Sequence, residues 1–175
     1  HFTRYLIRGG DTVNYVGFAR RGDWVDDGWS VPATVDEVLK SFEGWNEEFQ
    51  LIIRNTSAGS MHKWGMFGRG PMPQWSQGRV TLLGDAAHAM LPFLGQGVSM
   101  AIEDGIVLGR ALAKFGTTPE ALVRYEAVRL PRANQIVERS DARDNTIFRP
   151  SDAKDTMSRG LPPDIFSYDA VNVPL

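Results

Sequence analysis

The chain has no cysteine. That excludes a disulfide, a thiolate nucleophile and any thiolate metal site. Its three histidines form no His-x-x-x-His helix pattern, so no metal site is expected. Neither sign of charge dominates: 19 Lys and Arg stand against 21 Asp and Glu, for a formal net charge of −2. The balance argues against a nucleic-acid surface and against an acidic tail. No apolar run approaches the roughly 18 to 20 residues of a membrane span. No signal-peptide pattern is visible, and a cytoplasmic location is the expectation. There is no internal repeat and no Gly-x-Gly-x-x-Gly phosphate loop. What is present is 175 residues, 42% of them apolar, enough for one domain or slightly more with a sizeable core. The chain opens on His1 inside a strand-like run, the start expected of a fragment or a processed chain.

Residues 2–8 and 12–20 are rich in β-branched and aromatic side chains, and Gly9-Gly10-Asp11 between them predicts a hairpin. Residues 21–33 hold Gly, Asp, Trp and Pro and read as a loop. Thr34-Val-Asp-Glu37 has capping-box spacing, and Val35, Val38, Leu39 and Phe42 follow at helical intervals, up to a stop at Gly44. A short helix is expected over 46–54 and a strand over 62–68. Pro71 and Pro73 then break the pattern ahead of a strand at 79–84. A helix is expected from Gly97 to about Phe115, with Val98, Ala101, Ile102, Gly105, Leu108, Gly109 and Leu112 on one face. Gly105 and Gly109 would let that face approach a sheet or cofactor closely, at about 1 kcal/mol each in helix propensity. Thr118-Pro119-Glu120 starts another helix, expected to reach about Asn145 with a kink at Pro131. The proline-bearing stretch after 150 reads as an irregular, partly mobile tail.

The densest signal is Arg79-Val-Thr-Leu-Leu-Gly-Asp-Ala-Ala-His88, continued by Ala89-Met-Leu-Pro-Phe-Leu-Gly-Gln-Gly97. An apolar run, expected as a buried strand, ends in Gly84-Asp85. A glycine-rich loop follows, and a helix opens at Gly97. A strand end, a lone acid and a helix N-terminus in such proximity form a nucleotide-cofactor site. An acid at that place can accept hydrogen bonds from ribitol or ribose hydroxyls, although an isolated Gly-Asp pair more often caps a turn. His88 is expected as a structural partner in the turn rather than a metal ligand.

This spacing resembles the second flavin motif of the single-component FAD-dependent aromatic monooxygenases: Gly84-Asp85-Ala86-Ala87-His88, then Pro92, Gly95-x-Gly97 and a helix carrying Glu103-Asp104. Salicylate hydroxylase, 3-hydroxybenzoate 6-hydroxylase and 6-hydroxynicotinate 3-monooxygenase are of this kind. The resemblance implies an α/β (α+β) fold, the carboxyl half of a flavoprotein hydroxylase. Part of a substrate-domain sheet (1–75) would precede the carboxyl part of the FAD-binding domain (76–150) and a tail (151–175). The Rossmann amino-terminal half is missing from these residues.

The resemblance further implies that Asp85 binds the ribityl chain. Pro92, Gly95, Gln96, Gly97, Val98 and Ser99 would pass beside the isoalloxazine ring, with Gly84 in the turn. The α-helix start would favour negative charge on the reduced ring. Phe93 stands where some relatives carry His or Tyr, and its apolar ring cannot transfer protons. His1 and Tyr5 lie four apart, hence on one strand face. In 3-hydroxybenzoate 6-hydroxylase-like enzymes a His and a Tyr at this spacing contact the phenolic substrate, and a neutral imidazole suits removal of the hydroxyl proton. An exposed strand end and a core aromatic are equally open readings of these two residues. Arg129 and Arg132, in the segment Tyr125–Arg132, are expected to be solvated or paired with Glu.

The implied reaction is hydroxylation of a small phenolic or hydroxypyridine acid with NADH or NADPH as donor and O₂ as co-substrate. No nucleic-acid or membrane partner is expected, and a homodimer is left open. The alternatives are a non-catalytic fragment or interaction module that keeps part of the fold and, more remotely, a flavin dehydrogenase.

Overall fold

The computed structural model describes residues 1–19, 28, 30–147 and 163–175. Trp24, Trp29, Pro150 and Pro162, which the sequence analysis places in a loop and a tail, lie outside the described residues. The chain is mixed helix and strand and divides into two compact units, His1–Met66 and Phe67–Leu175.

In the first unit β1 (Phe2–Ile7) and β2 (Thr12–Gly17) pair antiparallel, from Phe2 opposite Gly17 to Ile7 opposite Thr12. The turn between them bends through Gly9 and Gly10 at φ +69° and +105°, where glycine carries no side-chain penalty. β3 (Ser30–Pro32) pairs antiparallel with β4 (His62–Trp64), which is shorter than the 62–68 expectation.

The capping box forms as the spacing predicts. The Glu37 N–H donates to Thr34 Oγ1 at 3.2 Å, and the Thr34 N–H donates to Glu37 Oε2 at 2.8 Å. These bonds start α1 (Val35–Ser41), and the Thr34 N–H, Thr34 hydroxyl and Lys63 hold the Glu37 carboxyl below its usual range. α2 (Glu47–Arg54) is capped by Asn46, whose Oδ1 accepts from the Glu48 N–H at 2.8 Å. Phe42, Ile53 and Met61 form the buried core of this unit, with Phe2 and Tyr15 packed against it. Phe2 meets Phe42 edge-on at 5.9 Å and stacks on Tyr15 at 5.3 Å.

The second unit is built on two long helices. β5 (Ser76–Gln77) pairs antiparallel with β6 (Val80–Thr81). The buried strand expected over 79–84 is therefore only a two-residue edge strand, and Val80 and Leu83 are exposed. Side chains of a strand alternate between its two faces, and the face carrying Val80 is left uncovered among the described residues. α3 (Asp85–His88) and a 3₁₀ turn (Pro92–Leu94) follow. α4 (Gly97–Phe115) and α5 (Pro119–Ile147) then pack on each other, and α6 (Pro163–Phe166) comes last. The Thr118 hydroxyl caps α5, accepting from the Ala121 N–H at 3.3 Å, and α5 continues as helix through Pro131.

Only part of the helix face expected to pack on a sheet or cofactor does so: Leu108 and Leu112 pack against the core, and the rest is not the face α4 buries. Met100, Asp104, Val107 and Ala111 are its buried residues. Val98 and Ile102 are 76% and 59% exposed, and a Cβ added at Gly105 or Gly109 meets nothing within 4 Å. α4 is apolar on two sides, and α5 takes the side carrying Val107 and Ala111. Trp75, Ala87, Ala121, Tyr125 and Ala133 complete that core.

Within the stretch expected as an irregular tail, residues 163–175 are held by α4 and α5. Arg110 donates to the carbonyls of Ala170 (2.9 Å) and Val173 (2.8 Å), Arg132 donates to Ile165 O at 2.7 Å, and Ile165 and Ala170 are buried.

Candidate cofactor site

The site begins at a backbone position only glycine adopts easily. Gly84 has φ +59° and ψ −142°, which turns the chain sharply after the edge strand. The turn presents Asp85 outward at the start of α3 and sends His88 inward. Further along the chain, Gly95 at φ +62° closes the Pro92–Leu94 turn, with the Gly95 N–H donating to Pro92 O at 3.0 Å. Leu94 is buried and anchors this turn.

α4 starts immediately after, and its first helical bond runs from the Met100 N–H to Gln96 O at 2.9 Å. The amides of Gly97, Val98 and Ser99 precede that bond and have no intrahelical acceptor. Gln96 makes no capping bond with its side chain.

Asp85, Gly97, Val98, Ala101 and Ile102 line an open concavity of about 400 Å³. Three residues singled out in the sequence thus meet at one surface, joined by two that the sequence placed only on a helix face. Pro92, Gly95 and Ser99 belong to the backbone that enters this surface. Gln96 is buried, with its amide nitrogen 3.4 Å from Leu94 O, so its side chain braces the turn. His1 and Tyr5 belong to the other unit. The His1 ring lies 3.0 Å from Thr3 Oγ1 and 5.8 Å from the Phe18 ring centre, and Tyr5 is 55% exposed.

Beneath the turn lies a buried ionic network. Asp104 Oδ2 accepts from the Gly84 N–H at 2.9 Å and from His88 Nε2 at 2.7 Å. Arg129 Nε donates to Asp104 Oδ1 at 2.8 Å. Arg129 Nη1 sits 2.6 Å from Glu103 Oε2, an ion pair without hydrogen-bond alignment. Arg132 reaches Glu103 Oε1 at 3.4 Å. The Tyr168 ring lies 4.9 Å and 5.0 Å from the guanidinium carbons of Arg129 and Arg132. Arg129 is completely buried, so of the two expectations for the arginines the pairing with Glu is the one found.

Burial works to push the Asp104 carboxyl up, but the bonds from His88, the Gly84 amide and Arg129 outweigh it and hold the carboxyl below its usual range. The same contest holds Arg129 above its usual value, against the pull of burial. Burial, then the Asp104 charge, pushes the Tyr125 phenol up.

In the sequence, Asp104 belongs to the motif without a role of its own. Its signal is an acid at the spacing 100, 104, 107, 111, where an apolar helix face has no use for an unpaired charge.

These features suit a nucleotide cofactor. The Asp85 carboxylate has no hydrogen bond or ion pair among the described residues and can accept from hydroxyls. The bare amides at the α4 N-terminus suit an electron-rich ring edge. Gly97 and Ala101 leave room for a planar group.

The chain belongs to the FAD-binding domain family, which it matches over residues 14–140. It is 36% identical over 179 residues to 6-hydroxynicotinate 3-monooxygenase of Pseudomonas fluorescens, covering 100% of this chain and 43% of that protein. It is likewise 36% identical over 164 residues to 3-amino-4-hydroxybenzoate 2-monooxygenase PtnB3 of Streptomyces platensis, covering 93% of this chain and 41% of that one. A salicylate hydroxylase solved as a substrate complex superposes with a TM-score of 0.72 at 29% identity, over 90% of this chain and 41% of that one. The chain therefore spans about two fifths of the length of these relatives. Among the described residues no helix is long and apolar enough to cross a membrane.

Proposed function

We propose that this chain is the carboxyl-half portion of an FAD-dependent aromatic monooxygenase, acting on a small phenolic or hydroxypyridine acid with NADH or NADPH and O₂. The observation that carries the reading is the concavity in which Asp85 meets the glycine-rich entry of α4. It lies inside the family match, and the relatives named above are monooxygenases of hydroxylated aromatic acids.

FAD, when bound, accepts reducing equivalents from the nicotinamide donor and activates O₂ for ring hydroxylation. The residues of this chain bind and orient. Asp85 accepts from the ribityl hydroxyls. The amides of Gly97, Val98 and Ser99, supported by the positive end of α4, would hold the electron-rich edge of the ring. Gly84, Pro92, Gly95 and Gln96 shape the backbone that brings them there.

His1 and Tyr5 are proposed to contact the substrate, with His1 taking the proton of its hydroxyl. Thr3 Oγ1 beside His1 Nε2 supports an oriented imidazole. A cytoplasmic location and a homodimer belong to the same reading, and sedimentation of the full-length protein reads the latter.

The test is Asp85→Ala in the full-length protein. Loss of one charge-assisted hydrogen bond weakens FAD binding by about 1.5–3 kcal/mol, or roughly ten- to 150-fold. An unchanged affinity on titration removes Asp85 from the site. FAD-loaded full-length protein that oxidises no NADH or NADPH with any hydroxylated aromatic acid would instead favour the non-catalytic module.

A further inference from the structure

We propose that Asp104 is a positioning residue for the cofactor: it fixes the Gly84–His88 turn and thereby aims Asp85. The proposal rests on the reading of Asp85 as the ribityl acceptor and assigns a role to a residue that never reaches the concavity.

One carboxylate holds both ends of the turn. Asp104 Oδ2 accepts from the backbone N–H of Gly84, the residue just before Asp85, and from the ring of His88, the last residue of α3. The turn's own bonds, from the N–H groups of Ala87 and His88 to Gly84 O at 2.9 Å, fix its shape but not its attachment to the rest of the protein. The Asp104 bonds attach it to α4, the helix whose N-terminus forms the opposite wall of the concavity. Asp85 and Gly97 are thus tied to one rigid element, and the distance between acceptor and amides is set by α4 itself.

The second oxygen fixes the carboxylate. Asp104 Oδ1 is held by Arg129 Nε from α5, so the carboxylate cannot rotate away from the turn. Ionised, it only accepts, so His88 must donate from Nε2. His88 Nδ1 has no hydrogen-bond partner among the described residues, so the bond to Asp104 is the polar contact that orients the ring, beside the Trp75 ring at 5.6 Å. Gly84 leaves no alternative: its φ and ψ lie where only glycine is at ease, and such a conformation persists when its surroundings over-determine it.

A residue that merely supports the fold and one that acts through Asp85 differ in a double-mutant cycle. FAD affinity is titrated for the full-length protein, Asp85→Ala, Asp104→Asn and the double variant, at a temperature where circular dichroism shows all four folded. Asp104→Asn alone is expected to weaken FAD about tenfold, the size of one aimed hydrogen bond. In the Asp85→Ala background the same change is expected to cost less than about twofold, because the group it aims is gone. Amide hydrogen exchange of the cofactor-free protein is expected to speed up more at Gly84, Ala87 and His88 in Asp104→Asn than at the core amides of α5, which read only the global loss of stability.

Equal losses in both backgrounds, or unchanged exchange in the turn, overturn the positioning role while leaving the Asp85 site intact. An Asp85→Ala protein with unchanged FAD affinity overturns the site reading itself. Should Asp104→Asn fail to fold, His88→Phe keeps a planar aromatic ring beside Trp75 and removes one of the two donors. The same non-additivity is expected of it, and additivity refutes the proposal.

Discussion

Arg129→Met measures how much the buried network stabilises the second unit. Arg129 is fully buried, with Asp104 at 2.8 Å and Glu103 at 2.6 Å. Methionine keeps much of the stem and removes the charge. Breaking a buried pair from one side costs about 3–5 kcal/mol, because the remaining charge is stranded. Here Asp104 keeps the Gly84 amide and His88, and Glu103 keeps Arg132. The loss should therefore fall near the lower end, about 3 kcal/mol, or roughly 6–12 °C in Tm for a chain of this size. Urea unfolding followed by helical circular dichroism reads it, since α4 and α5 supply 19 and 29 helical residues. The pH dependence adds a second check. The folded-state pKa of Asp104 is lowered, so its stabilisation is present above the ordinary carboxylate range and is lost as pH falls through the folded value. Arg129 is one cause of that lowering. The penalty of Arg129→Met should be largest at neutral pH and shrink in acid, where a protonated Asp104 needs no countercharge. A neutral-pH loss below about 1 kcal/mol, the scale of one ordinary hydrogen bond, or one that does not change with pH, refutes this account.

Three smaller tests address other elements of the fold. Gly84→Ala places a Cβ 3.5 Å from that of Ala101, an ordinary contact, so its expected cost of about 1–3 kcal/mol is backbone strain, and it should weaken FAD as well as stability. Gly17→Ala puts a Cβ 2.6 Å from Phe42 Cζ, and overpacking should cost the first unit about 1–3 kcal/mol in amide-exchange protection of β1 and β2. Arg110→Ala removes the donor to Ala170 O and Val173 O, so limited proteolysis should clip the last residues at least severalfold faster. Unchanged cleavage would show that Ile165 and Ala170 hold the segment without it.

Local chemistry made much of this fold legible. The Thr34–Glu37 box and the Thr118-Pro119 start each satisfy backbone groups within a few residues, so sequence and structure agree there. The Gly-Asp turn and the Gly95–Gly97 entry were legible for the same reason, since each needs a positive φ or an open helix start at a fixed place. What sequence did not show is which side of an apolar element finds a partner. Val80, Leu83, Val98 and Ile102 carry the pattern of buried residues and are exposed in the structure. Periodicity reports that a face is apolar, not what covers it.

The same limit hid Asp104. Read along α4, it is an acid out of place on an apolar face, but nothing along the helix names its partners. Only when α5 brings Arg129 across and the Gly84 turn brings a backbone N–H down does burying that charge become sustainable. Two segments far from it in sequence supply the partners, and no local pattern encodes them. The positive φ of Gly84 supplies the link, because it directs the amide toward Asp104 while the next residue faces out. A glycine is thus needed at this position twice: by the turn that exposes Asp85 and by the carboxylate that holds the turn.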